Sequence, residues 1–362
     1  MLSERQNSLR IEIVGAGNRN EAENSRSLRP QPTLYLLASM NFETTFRRFV
    51  VRAKWKRCAG ILTAQLLLSL FPVALKAQVS ENCTGGLALK LSAPESSQGT
   101  LLRVELDNAA GLAEVKGEWA GKEISFWPDE VHPDIRKSFL GVDLEQAPGT
   151  TKFVVTARGE NGESVGCTAD VAIQAGHFVV EKLAVDEKFV QPNPEDQKRA
   201  EQEGKRLHEI YAGRTAEKYW NGPFRFPIAG PRQGTNFGSR RVFNGVARPP
   251  HSGLDIHAGT GTPVHAAQRG KVALAGNLYY AGNAVLLDHG MGVYTFYCHL
   301  SRINVKEGDL VDAGAVLGLV GATGRVTGPH LHWGLEVNEA RVNPLQILPP
   351  IPAGKKKNHV KN

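Results

Sequence analysis

From about residue 80 to 175, apolar and polar positions alternate with a period of two. Leu102, Val104 and Leu106 alternate with Arg103 and Glu105, and Phe153, Val155 and Ala157 alternate with Val154 and Thr156. Side chains two apart share one face of a strand, so these runs predict half-buried β-strands. Pro148-Gly149 and Asn161-Gly162 punctuate them, and Asn-Gly between alternating runs is a hairpin signal. Short strands with turn residues at these intervals predict a small immunoglobulin-like β-sandwich over 80–175. Trp119, Phe126 and Trp127 suit core positions of that sandwich better than a binding stripe.

The pattern changes in the linker, 176–219. Pro192-Asn193-Pro194-Glu195-Asp196 has the makings of a helix start, with Asn193 as the cap, proline in the first turn and acidic residues near the positive end. The helix should run to about Ala212 and stop at Gly213. Its mostly polar composition predicts a connector between domains. From 220 onward glycines become frequent and strands short: Lys271–Ala275, Ala284–Leu287, Gly292–His299 and Leu331–Val337 have strand character. With no long helical period after 220, residues 220–348 are expected to form an antiparallel β domain with functional loops. The fold class is mainly β.

Charge separates the N-terminal segment from the rest. Of 43 Lys/Arg and 36 Asp/Glu, residues 1–77 hold 12 and 5, leaving 31 of each. A nucleic-acid binder carries its basic excess on the folded part, so no nucleic-acid partner is expected. The run Lys355-Lys-Lys357 sits in a solvated basic tail, 349–362. The excess in 40–77 has another reading. Arg47, Arg48, Arg52, Lys54, Lys56 and Arg57 precede an apolar run over 58–75, and small residues stand at Ala74 and Ala77. That order predicts a secretory signal cleaved after Ala77, the alternative being an uncleaved anchor through 58–75. The expected location is therefore exported, periplasmic or associated with the cell envelope. Residues 1–39 precede a second methionine, Met40, and read as a disordered, non-native upstream extension. Export permits a disulfide between Cys83 and Cys167. Cys58 falls in the signal, and Cys298 reads as a small buried hydrophobe.

The chemistry concentrates in two phrases and one strand end: His251-Ser-Gly-Leu-Asp255, Tyr297-Cys-His299-Leu300, and Gly328-Pro-His330-Leu-His332-Trp333. Histidine and aspartate are ligands that zinc prefers, and a catalytic zinc site needs three of them plus an open position. On strands, residues two or four apart share a face, so His251 with Asp255, and His330 with His332, each point to one side. Three ligands and two spare imidazoles are the inventory of a zinc hydrolase.

The ordered set Gly253, Asp255, Gly259, Thr260, Gly261, Thr262, Pro263, Val264, then Tyr297, His299, Gly321, Gly324, Gly328, Pro329, His330, Leu331 and His332 resembles the lysostaphin/LytM-like zinc metalloendopeptidases over about 220–345. Phe237-Gly238 and Asn244-Gly245 ahead of His251 look like the bacterial peptidoglycan-hydrolase branch. The resemblance implies one Zn2+ held by His251, Asp255 and His332, with His299 and His330 as unliganded catalytic residues. It also implies an endopeptidase acting on peptide cross-links or stems of peptidoglycan, at D-alanyl–diaminopimelate bonds, with which an activating protein partner is compatible. The alternative on the same fold is a non-catalytic cell-wall-binding regulator, an amidase activator. His257 is expected to pack or to support the site, His265 and His289 to be structural, and Asp288-His289-Gly290 to form a strand-end turn. Glu336 is expected either to support the site or to be a solvated strand position, and Asn244 to lie near the cleft.

Overall fold

The computed structural model describes residues 78–79, 82–159, 161–234 and 236–350. The expectations for residues 1–39, for the leader 40–77 with its run 58–75, and for Lys355–Lys357 lie outside the described residues. Among the described residues no helix is long and apolar enough to cross a membrane.

The alternating runs become strands where period two predicts them. Leu101–Asp107 pairs antiparallel with Ala88–Leu91 on one side and Arg136–Gly141 on the other. Gly149–Arg158 and Ser164–Gln174 form a hairpin whose register runs from Gly149↔Ile173 to Arg158↔Ser164, with Gly162 at φ +83° in the turn. The inward side chains of these two sheets, among them Leu89, Val104, Leu106, Trp119, Leu140, Phe153 and Val171, form one core, so the region is a β-sandwich. Cys83 and Cys167 lie opposite each other on paired strands and are joined by a disulfide.

The helix spans Pro194–Tyr211, and the Asn193 side chain accepts from the Asp196 N–H. The linker does more than connect. Leu207, Ile210 and Tyr211 pack against Leu274, Leu278 and Tyr294, and Arg206 pairs with Glu307. These three apolar residues fall at helical spacing on one face, a narrow stripe that the polar average conceals. Upstream of the helix, Val180–Leu183 runs parallel to Arg240–Phe243, adding a strand beside the site described below.

The C-terminal region is built on an antiparallel sheet in the order Gly253–Ile256, Leu331–Val337, Val293–Ile303, Gly282–Asp288, Gly270–Leu278 and Leu310–Val311. Leu254, Val285, Leu287, Tyr297, Leu331 and Trp333 form the core on one face. Cys298 is buried with Leu274, Leu286 and Tyr294 on the other, the face that also carries its cross-strand partner His332. Simple alternation would set His299 on the face opposite Cys298, but the left-handed His299 (φ +64°) breaks the period and both line one cavity. The strand carrying His299 does not end there; it continues to Ile303 through a break in register near Cys298 and His299. Trp127 is buried in the core of the C-terminal region and not in the sandwich core expected for it, and it meets Phe139 and Trp220 edge-on, so it ties the sandwich to that second core. Arg341 adds a two-pronged ion pair to Asp143, Nη2 at 2.6 Å and Nε at 3.0 Å.

Candidate metal centre

Strand register assembles the site. Asp255 lies directly opposite His332 on adjacent antiparallel strands. His251, just before the first of these strands, completes a group in which His251 Nε2 is 2.8 Å from His332 Nδ1 and 3.1 Å from Asp255 Oδ1. His332 Nδ1 is 3.2 Å from the same carboxylate oxygen. His251, Asp255 and His332 are the one cluster of metal-binding side chains among the described residues.

Three lone-pair donors this close repel one another unless a proton or cation lies among them. The His251 Nδ1–H donates to the Asn236 carbonyl at 2.9 Å, which turns the Nε2 lone pair toward the cluster. The separations approach the roughly 3.4 Å expected between ligand atoms around a tetrahedral ion with bonds of about 2.1 Å. Two imidazoles and a carboxylate are a donor set that zinc accepts, so these residues fit the metal. Burial works to raise the Asp255 carboxyl, but the His251 and His332 rings against it outweigh burial and hold the group well below the usual carboxylate range. Burial lowers the His332 imidazole, which favours the neutral ring a ligand needs.

The other two histidines face this cluster. The His299 ring centroid is 4.9 Å from that of His330 and 6.0 Å from that of His332. His330 Nε2 is 3.6 Å from Asp255 Oδ1, beyond hydrogen-bond range. In each ring Nδ1 donates to a backbone carbonyl, that of Thr323 at 2.9 Å for His299 and that of Gly328 at 2.8 Å for His330. The Nε2 atoms are thereby left to exchange protons. Burial pushes His299 down to about 3, with His332 and His330 adding to the shift, and burial also lowers His330. Both rings are therefore neutral at pH 7. His299 holds this position with φ +64°, a left-handed conformation that costs a non-glycine residue energy and recurs at functional sites.

The remaining sequence candidates lie elsewhere or support the frame. His257 is exposed, and His265 Nδ1 donates to the Gly314 carbonyl. His289 is fully buried between the Arg269 carbonyl and the Thr295 hydroxyl. Asp288 accepts from Thr215 and from the Gly290 N–H. Burial raises the Glu336 carboxyl to about 8. Asn244 sits in a left-handed turn and holds the linker through Val185 and Glu187.

One contact at the site has no signal in the sequence. Arg241 Nη2 donates to Asp255 Oδ2 at 2.8 Å, while its Nε is 3.6 Å from Glu181 on the neighbouring linker strand. A cavity of about 480 Å³ opens over the centre, walled by Arg241, Phe243, Arg248, Tyr280, His299 and Arg325. A second cleft of about 760 Å³, by Trp220 and Leu348, is lined by none of the ligand residues.

The part of the chain that carries these two imidazoles, the carboxylate and the two further histidines is similar to known proteins. Residues 249–344 match Peptidase family M23, and the chain carries an M23 peptidase domain. Over 129 residues it is 43% identical to the peptidoglycan DD-endopeptidase ShyA of Vibrio cholerae, a match covering 35% of this chain and 30% of ShyA. Over 102 residues it is 45% identical to the DD-carboxypeptidase/endopeptidase Mpg of Neisseria meningitidis, covering 28% of this chain and 24% of Mpg. The chain thus spans less than a third of the length of either relative. Among solved structures, that of a candidate M23 peptidase from Pseudomonas aeruginosa superposes with a TM-score of 0.50 at 28% identity, covering 69% of this chain and 94% of that one.

Proposed function

We propose that this protein is an exported zinc-dependent endopeptidase that hydrolyses peptide cross-links or stem peptides of bacterial peptidoglycan, at D-alanyl–diaminopimelate bonds. The observation that carries this reading is the juxtaposition of the His251–Asp255–His332 cluster with two neutral histidines whose Nδ1 atoms are tied to backbone. The names of the two relatives, a DD-endopeptidase and a DD-carboxypeptidase/endopeptidase, support the substrate class. Action on peptidoglycan implies a place outside the cytoplasm.

His251, Asp255 and His332 would hold the zinc, which when bound polarises the scissile carbonyl and acidifies water. The neutral His299 and His330 present Nε2 toward the same space. One of them takes the proton of the attacking water as general base. The protonated ring then donates to the oxyanion or returns the proton to the leaving amine as the C–N bond breaks. Arg241 keeps the Asp255 carboxylate turned toward the two histidines by occupying its other oxygen.

The test is mass spectrometry of soluble products from purified peptidoglycan treated with the zinc-loaded chain, beside a His251→Ala control. Loss of cross-linked muropeptides in the first and not the second is the expected outcome, and the product masses identify the bond. No release with zinc demonstrably bound would move the assignment to the wall-binding regulator.

A further inference from the structure

Three arginines, Arg241, Arg248 and Arg325, line the cavity that also contains His251, His299 and His332. Two of them are engaged. Arg241 pairs with Asp255 and Glu181, and Arg248 donates to the Val190 carbonyl. Arg325 is different. Its guanidinium carbon is 4.4 Å from the centroid of the Tyr280 ring and 4.8 Å from that of Phe243. Among the described residues its side chain has no carboxylate partner and no hydrogen bond.

Aromatic faces orient and desolvate a guanidinium without neutralising it, and its planar fork suits a carboxylate. The backbone beneath is fixed as well. The Arg325 N–H donates to the Tyr280 carbonyl at 2.9 Å. Gly324 has φ +74°, and a Cβ there would come within 2.4 Å of the Gly282 nitrogen. This loop also supplies the Thr323 carbonyl that orients His299. One short segment therefore sets both a proton-transfer group and an unpaired cation in the wall of a single cavity.

We propose that Arg325 binds a free carboxylate of the substrate peptide, the one on the carbon that bears the leaving amine. This rests on the endopeptidase reading above. In a D-alanyl–diaminopimelate cross-link that carbon carries a free carboxylate, whereas inside a glycine bridge the same place is taken by a neutral amide. An unpaired arginine beside His299 thus selects the first bond over the second, because an amide leaves the guanidinium without a charged partner.

The experiment uses the zinc-loaded chain with two dimers: a D-alanyl–diaminopimelate cross-linked muropeptide, and the same dimer amidated at the diaminopimelate carboxylate beside the cross-link. Both kcat/KM and the equilibrium Kd are measured, the latter in the His330→Ala background. The free acid should be preferred by roughly tenfold to a hundredfold, the range for a charged hydrogen bond. Arg325→Gln should bring that ratio close to one. A ratio near one in the unaltered chain, or an Arg325→Gln change that lowers both dimers by one factor, overturns the proposal. If neither dimer is cleaved with zinc bound, the endopeptidase reading fails, and the ratio of dissociation constants alone decides the role of Arg325.

Discussion

Asp255 and His332 stand opposite each other on adjacent antiparallel strands, with Oδ1 of the first 3.2 Å from Nδ1 of the second. A cross-strand pair is a rigid way to place two ligands, since the ladder fixes their separation before any ion arrives. His251 and the two further histidines are hung on the loops and the bulged strand around this pair. Each consequence below can be measured on the chain.

Arg241→Gln should weaken zinc binding while leaving the protein folded. The substitution removes the 2.8 Å contact to Asp255 Oδ2, and losing a partner of a ligating residue typically costs about tenfold to a hundredfold in metal affinity. Competition with a chelator reads the change. Unaltered affinity would assign Arg241 to holding the linker strand through Glu181 alone.

Gly253→Ala should have a similar effect by a steric route. A Cβ at Gly253 would lie 2.5 Å from His332 Nε2 and 2.8 Å from the Trp333 carbonyl oxygen, closer than such atoms approach. The imidazole or the strand must shift, so zinc affinity should fall by at least about tenfold. Circular dichroism checks that the sheet survives.

His299→Ala and His330→Ala should each retain zinc yet lose turnover by about a hundredfold to ten-thousandfold, the usual contribution of a positioned acid or base. Metal content and muropeptide release are measured on the same samples. Full turnover in both variants would remove these rings from the mechanism.

The fold should weaken in mild acid through His289. Burial depresses this imidazole to about 4, against an ordinary 6.5. Between those values the unfolded chain binds the proton and the folded one does not, so stability falls as pH drops from about 6.5 toward 4. The full effect of this one group is on the order of 3 kcal/mol. Urea melts across that range should show a shallower slope for His289→Gln, and an identical slope would exclude His289 as the source.

Much of this was legible in the chain. Period-two alternation located the strands, Asn193 and Pro194 marked the helix start, and His251, Asp255, His299, His330 and His332 were named from spacing and family likeness. The helix was expected to be a polar connector, and its docking through Leu207, Ile210 and Tyr211 was hidden in a narrow stripe. The end of the strand at His299 was misplaced because a bulge has no composition of its own.

The sequence by itself determined which ligand-type residues are present and which near neighbours share a face, because ligand chemistry is a property of residue type and facing side chains on one strand follow from a local period. The tertiary structure decided what surrounds them. Arg241 reaches Asp255 from another strand, the Asn236 and Thr323 carbonyls choose which ring nitrogen is free, and Arg325 faces two rings with no anion among the described residues to meet it. Contacts between segments far apart in the chain leave no periodic trace, since they depend on how the sheets and loops pack and not on the order of neighbouring residues.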